Sequence, residues 1–160
     1  MGIILSIAIT LAILGAAAGF EGIAAGRAPK AFLDRLSQPS WAPPFPVWIV
    51  IALVFYAVFG SILFRMIRSG EGWALAGIGL VVALLCLNVV WNYLFFRRRD
   101  LVAAYRLQLP YGALLATLFG LLLLIDRIAA FILLVYIAYL PFAVAWMRAL
   151  NRLNPVRTES

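Results

Sequence analysis

The stretch Ile3–Ala25, IILSIAITLAILGAAAGFEGIAA, decides the fold class of this chain. It carries one charged residue, Glu21, and about 20 apolar residues in helical form are enough to cross the hydrocarbon core of a bilayer. No Lys or Arg precedes it, and its apolar run is longer than a signal-peptide core, which is typical of a retained helix rather than a cleaved leader. The stretch therefore predicts a transmembrane α-helix.

Four more apolar runs predict transmembrane helices over 47–67, 73–96, 107–125 and 128–150. The chain of 160 residues is 66% apolar and 12% charged, which leaves too little polar surface for a protein surrounded by water. In lipid a helix satisfies its own backbone polar groups, whereas membrane-spanning strands are about half as long and alternate in polarity. We expect an all-α membrane protein, one domain of five transmembrane helices with the lipid bilayer as solvent.

One connection, residues 26–46, is long and holds five of the eight prolines. This density excludes a continuous helix, and Pro46 suits the first turn of the second span. We expect this connection to be ordered and the other connections to be tight turns.

Lys and Arg residues are unequally distributed between the two sides of the predicted bundle. Residues 26–46, the connection after the third span and the C-terminal end together carry ten, and the opposite side carries three. Translocation of such charges is disfavoured, so we expect a cytoplasmic C-terminus, an outward N-terminus and a prokaryotic inner (plasma) membrane. The net charge of +7 comes largely from these loop arginines, which act as topology markers and contact lipid headgroups. We therefore expect no nucleic-acid partner.

The chain has no His and a single Cys, Cys86, which excludes an intrachain disulfide and His-based catalysis. Most metal sites are excluded with them. We expect no metal and no required cofactor.

Small residues recur at helical spacing in the first span, at Gly15, Gly19 and Gly22, and in the fourth, at Gly112 and Gly120. Such stripes let another helix backbone approach closely. The partner is either a neighbouring helix or a second subunit.

The third span places Asn88, Trp91 and Phe95 on one helix face. An amide inside the membrane needs a partner, so Asn88 either bonds a neighbouring helix or faces a cavity.

The fifth span repeats this pattern with Tyr136, Tyr139, Ala143 and Trp146. An aromatic belt at the lipid headgroups accounts for Trp146 near the helix end. The two tyrosines lie deeper, and we expect them at a cavity.

Glu21 is the acid that lies inside an apolar run, which by default suggests proton or cation coupling. Placement at the interface near Arg27 explains it about as well. Asp100 and Asp126 lie beside arginines at loop edges, and we expect solvated pairs that contribute little stability.

In the order of its spans, its Pro-rich connection and its motifs, the chain resembles the translocator protein / tryptophan-rich sensory protein (TspO/MBR) family of five-helix membrane proteins. The resemblance covers most of the chain, and the motifs that carry it are Leu36-Ser-Gln-Pro39-Ser-Trp41-Ala-Pro43-Pro44 before the second span, Tyr56 within it, and Asn88-x-x-Trp91-x-x-x-Phe95-Phe96 in the third. Compared with the family, Ala52 stands where a Trp is usual, with Trp48 one turn earlier, and Tyr139 replaces a Trp in the fifth span. The loss at Ala52 predicts a wider or differently shaped pocket.

The resemblance implies a five-helix bundle, often dimeric, with a cytoplasmic-side cavity for porphyrins and in some members sterols. By the same resemblance, the residues of the cavity wall are Ala52, Tyr56, Asn88, Trp91, Phe95, Tyr139 and Ala143. Tyr136 joins them from the fifth-span stripe. The lid over the cavity comprises Phe32, Trp41 and Pro43.

The chemistry of the residues agrees with such a ligand, because a porphyrin needs aromatic walls in the membrane and cations near its carboxylates. Without His, the usual iron ligation is absent, so we expect metal-free protoporphyrin IX or loosely held haem. The leading hypothesis is a membrane receptor or carrier for a hydrophobic ligand, acting as a homodimer. The alternatives are a light-dependent porphyrin-degrading enzyme, a proton-coupled exporter that uses Glu21, and a packing partner for another membrane complex.

Overall fold

The computed structural model describes residues 2–70 and 72–155, and five of its helices are long and apolar enough to cross a membrane. The described residues form the α-helices α1 (Ile3–Ala25), α2 (Pro29–Leu33), α3 (Phe45–Ser69), α4 (Ala74–Asn92), α5 (Leu101–Arg106), α6 (Gln108–Ile125) and α7 (Arg127–Leu153). A π-helical turn, Tyr93–Arg97, continues α4. The prediction of an all-α bundle with five transmembrane helices is confirmed.

The long helices form a closed ring in the order α1, α3, α7, α6 and α4, and α3 also packs on α4 across it. The densest part of the core surrounds the second half of α3, where Phe59, Ile62 and Leu63 have no exposed surface. Leu84 of α4 and Leu133 of α7 are equally buried in the same cluster. The bundle is therefore most tightly packed near the turns that join α3 to α4 and α6 to α7.

The connection after the third span differs from the predicted tight turn. The Arg98 N–H donates to the Tyr93 carbonyl and the Asp100 N–H to the Leu94 carbonyl, both at 2.9 Å, so the helix widens as it ends. The Asp100 carboxylate then accepts a hydrogen bond from the Ala103 N–H at 2.8 Å and caps α5. Asp100 is a helix cap rather than a solvated partner of the arginines, because a carboxylate at a helix start satisfies free backbone N–H groups.

The expectation of a weak, solvated pair at Asp126 is also wrong. Its carboxylate accepts two hydrogen bonds from Arg65, at 2.7 Å from Nε and 2.8 Å from Nη2. It also accepts one from the Ala129 N–H at 3.1 Å, at the start of α7. The Arg65 guanidinium lowers the pKa of Asp126 below its usual range. A single residue thus ends α6, starts α7 and ties both to α3.

The Pro-rich connection contains the short helix α2, which begins at Pro29, where the missing N–H leaves no partner unsatisfied. The connection is attached to the end of α7 at two points. Asn154 exchanges two hydrogen bonds with the Ser37 backbone, at 2.9 and 3.0 Å. The Trp146 indole N–H donates to Gln38 Oε1 at 3.2 Å. Trp146 is 3% exposed, so it is a packed anchor and not a residue of an interfacial aromatic belt.

The small-residue stripe of α1 faces outward. A Cβ added at Gly15, Gly19 or Gly22 would meet no atom within 4 Å. On α6, a Cβ at Gly112 would lie 3.7 Å from Leu140 of α7, whereas one at Gly120 would meet no atom within 4 Å. A stripe of small residues can face either a neighbouring helix or a second subunit. Among the described residues, no neighbouring helix lies against the α1 glycines.

Candidate functional site: an aromatic cavity

A cavity of about 340 Å³ lies between α1, α2, α3, α4 and α7, at the end of the bundle covered by the Pro-rich connection. Its aromatic lining residues are Phe45, Trp48, Phe55, Trp91, Phe96, Tyr136, Tyr139 and Trp146. Its polar lining groups include the side chains of Glu21, Asn88 and Asn92. Apolar walls with a few polar groups are typical of small-molecule sites, and the volume lies near the lower end of their usual range.

The first half of α3 forms one wall of the cavity. Trp48 and Ala52 are one helical turn apart, and both line the cavity. Ile49, beside them, also lines it and is 51% exposed, and Ala52 is exposed as well. The cavity is therefore open to the outside along this part of α3, where the small Ala52 side chain leaves space. Tyr56 is not among the lining residues and lies behind the wall, edge-on to Phe55 at 5.2 Å.

Three helix-face residues of α4 and its π-helical turn have different roles. Asn88 and Trp91 line the cavity. Phe95 does not, because it is completely buried and stacks parallel to Trp91 with ring centroids 4.8 Å apart. Phe95 thus supports the Trp91 ring from behind instead of forming the cavity surface. Its neighbour in the π-helical turn, Phe96, lines the cavity instead.

On α7, Tyr136 and Tyr139 line the cavity, and both also border a second cavity of about 80 Å³ beside it. Ala143 borders only the smaller one. The hydroxyl groups of Tyr136 and Tyr111 are hydrogen-bonded at 3.2 Å, which links α7 to α6.

The predicted lid residues lie outside the cavity surface. Phe32 packs edge-on against Phe95 at 5.5 Å, and the Arg99 guanidinium lies 5.6 Å from the Phe32 ring centroid. The lid surface that reaches the cavity comes from Pro29 and Leu33 of α2. Phe32 therefore fixes α2 on the aromatic cluster rather than touching the cavity.

Trp41 and Pro43 are not among the cavity-lining residues. Trp41 is 49% exposed and packs on Phe142 at the bundle exterior, beside an open groove of about 910 Å³.

Glu21 points into the cavity and accepts a hydrogen bond from the Asn88 amide at 2.7 Å. The Tyr56 hydroxyl lies close to this carboxylate but is buried without a hydrogen-bond partner. The structure therefore pairs Glu21 with Asn88 of α4, and not with Arg27 at the interface. Of the two possibilities for Asn88, helix pairing and cavity lining, the structure shows both.

Trp48, Trp146 and Phe96 are cavity residues that the sequence interpretation left out of the site. Trp48 and Trp146 pack together with centroids 4.3 Å apart across α3 and α7. The spacing of Phe45, Trp48 and Ala52 on one helix face was a usable signal for the α3 wall.

The match to a family model decides the assignment, because the model for the TspO/MBR family covers residues 6–151. The chain belongs to the TspO/MBR family. Family membership and the five apolar helices make this TspO/MBR protein an integral membrane protein, and they support a membrane ligand-binding or transport role in general terms. No curated protein matches the chain.

Proposed function

We propose that this TspO/MBR protein is a membrane receptor or carrier that binds a flat hydrophobic ligand of the porphyrin type in the aromatic cavity. The observation that carries the proposal is the cavity itself, where rings from three helices surround a space of about 340 Å³. Offset or edge-on aromatic contacts contribute about 0.5 to 1.5 kcal/mol each beyond area burial. Trp48, Trp91 and Tyr139 supply such faces from α3, α4 and α7.

The open side of the cavity fits a ligand larger than the enclosed volume. A macrocycle inserted between Trp91 and Tyr139 would extend outward past Ala52 and Ile49, which line the cavity and are exposed. The small residue at position 52 thereby supports a broad ligand rather than a compact one. A flat sterol is the second ligand class that this shape admits.

Cations at the same end of the bundle support recognition of the ligand's carboxylates. Arg97 donates to the Ile23 carbonyl at 3.3 Å, and Arg99 lies over Phe32 of the lid. Lys30 forms a salt bridge with Asp34 at 2.6 Å, so its charge is less available to a ligand carboxylate. The chain has no His, so the proposal favours metal-free protoporphyrin IX or loosely held haem.

Titration of the detergent-solubilised protein with protoporphyrin IX, followed by tryptophan fluorescence and porphyrin absorbance, tests the proposal. Trp91→Ala combined with Tyr139→Ala removes two aromatic faces, and we expect Kd to rise about 5- to 150-fold. The matched control is Trp73→Ala, because Trp73 is 68% exposed and remote from the cavity lining. Absence of saturable binding, or an equal Kd in the double variant and the control, would contradict the proposal.

We further propose that the protein is a homodimer in a prokaryotic inner membrane, with its C-terminus and Pro-rich connection on the cytoplasmic side. The ten-to-three distribution of Lys and Arg supports this orientation. The outward-facing stripe of Gly15, Gly19 and Gly22 supports close approach of a second copy.

A further inference from the structure

Glu21 is an acid in the wall of the aromatic cavity. Among the described residues that line the cavity there is no Lys or Arg. The nearest basic residue in the sequence, Arg27, lies beyond the end of α1 and is exposed. Arg97, which donates to the Ile23 carbonyl, is also exposed and is not a lining residue. The carboxylate is thus placed in the membrane-spanning part of the bundle without a cation beside it in the lining.

The hydrogen bonds of Glu21 are incomplete. A carboxylate has two oxygens that together accept about four hydrogen bonds. Among the described residues, one side-chain donor bonds it, Asn88 Nδ2 to Oε1 at 2.7 Å. The Tyr56 hydroxyl lies close to the carboxylate, outside the geometry of a fully formed hydrogen bond. The carboxylate therefore retains capacity to accept a hydrogen bond from a molecule in the cavity.

Aromatic rings surround this acid on the other helices. Trp91 lies one turn after Asn88 on α4, and Trp48 and Tyr139 line the same space from α3 and α7. The faces of Trp and Tyr rings attract cations electrostatically, and a charged donor makes its strongest hydrogen bonds to a carboxylate. A cavity lined by an acid and several aromatic ring faces therefore has the groups that bind an organic cation.

We infer that Glu21, held by Asn88, makes the aromatic cavity selective for flat ligands that present a positively charged N–H donor. The inference rests on the proposed ligand cavity and specifies its substrate class: aromatic amines that are protonated at neutral pH. A neutral porphyrin core can donate hydrogen bonds from its pyrrole N–H groups to the same carboxylate, and these are weaker than hydrogen bonds from a charged donor.

Two three-ring probes of nearly equal shape test this selectivity. At neutral pH 9-aminoacridine is a cation with N–H donors, whereas acridine is neutral. We expect the wild-type protein in detergent to bind 9-aminoacridine at least about tenfold more tightly than acridine. In Glu21→Gln, which keeps the side-chain shape and an oxygen for Asn88, the two affinities should become equal within about threefold.

The control separates this inference from the proposed function. Binding of protoporphyrin IX to the wild-type protein, measured beside the two acridines, reports on the aromatic cavity itself. Glu21→Asp, which keeps the charge, should retain a preference for 9-aminoacridine and serves if Glu21→Gln does not fold. Equal affinities of both acridines in wild type, or a preference that persists in Glu21→Gln, would overturn the inference. Failure of wild type to bind protoporphyrin IX would instead overturn the proposed function.

Discussion

The two halves of α3 are both apolar, yet they pack in opposite ways. In the second half, Phe59, Ile62 and Leu63 have no exposed surface. In the first half, Ile49 and Ala52 are exposed and border the aromatic cavity. Because lipid is as apolar as these side chains, hydrophobicity does not distinguish the two halves, and shape does. The comparison shows a bundle that is held together at one end and hollow at the other.

Different polar contacts secure the two ends. At the packed end, Arg65 and Asp126 join α3 to the turn between α6 and α7. At the hollow end, Asn154 and Trp146 hold the Pro-rich connection on α7. These two contacts lie on the cover, and the hydrogen bond between cavity walls, from Asn88 to Glu21, joins α4 to α1. This arrangement leaves the space between α3, α4 and α7 free for a ligand.

The largest expected effect is on the packed half of α3. Phe59→Ala removes roughly 100 Å³, and at about 24 cal/mol per Å³ the cavity term alone lowers the free energy of unfolding by about 2 kcal/mol. The matched control, Ile49→Ala on the open half, should change it by less than about 0.5 kcal/mol. Unfolding in mixed detergent micelles, followed by circular dichroism, gives both values. Equal losses in the two variants would show that the halves do not differ in packing.

An intermediate effect is expected at Asp126. Asp126→Asn keeps an acceptor for the Ala129 N–H but loses the charge that pairs with Arg65, and we expect a loss of about 1 kcal/mol at neutral pH. The hydrogen bonds from Arg65 are the main cause that lowers the pKa of Asp126 below its ordinary value of 3.8. A carboxylate with a lowered pKa in the folded state contributes stability above its unfolded pKa and loses it as the pH falls through the folded pKa.

The pH dependence of unfolding checks this assignment. Wild-type stability should fall more steeply than that of Asp126→Asn as the pH drops below 3.8. The difference between the two proteins should therefore be largest at neutral pH and shrink in acid. A difference that stays constant across this range would mean that the ion pair does not fasten the packed end.

The smallest effect on the stability of the monomer is expected at the outward face of α1. Gly19→Leu adds a side chain where a Cβ meets no atom within 4 Å, so the monomer should tolerate it. If a second copy packs on this stripe, the dimer fraction should fall severalfold, measured by energy transfer between labelled copies in nanodiscs. Gly79→Leu on α4 is the control, since a Cβ there also meets nothing within 4 Å and Gly79 belongs to neither small-residue stripe. Equal dimer fractions in the two variants would remove the stripe as the dimer contact.

The sequence predicts the five spans because long apolar runs in lipid have one stable form. It does not predict the polar contacts, since the partners are far apart along the chain. Glu21 and Asn88 are separated by 67 residues, and Arg65 and Asp126 by 61. Each acid has a basic residue nearby in the sequence, and local spacing therefore indicated neither of the two actual partners.

The site was predictable only in part. Helical spacing placed Asn88 and Trp91 on one face of α4, and the cavity lies along that face. The π-helical turn at the end of α4 left no recognisable pattern, so the exchange of roles between Phe95 and Phe96 was not foreseen. The opposite wall required knowing that α3 and α7 are neighbours, which brings Trp48 onto Trp146. Periodicity gives helix faces, whereas the choice of facing helices comes from the packing of the whole bundle.

The central claim is that the hollow half of the bundle binds a flat ligand between α3, α4 and α7. A structure of the protein determined with protoporphyrin IX tests it most directly. We predict the macrocycle in van der Waals contact with Trp91 and Tyr139, with one edge leaving the cavity past Ala52. A macrocycle bound instead in the outer groove beside Trp41, with the aromatic cavity unchanged, would contradict the account.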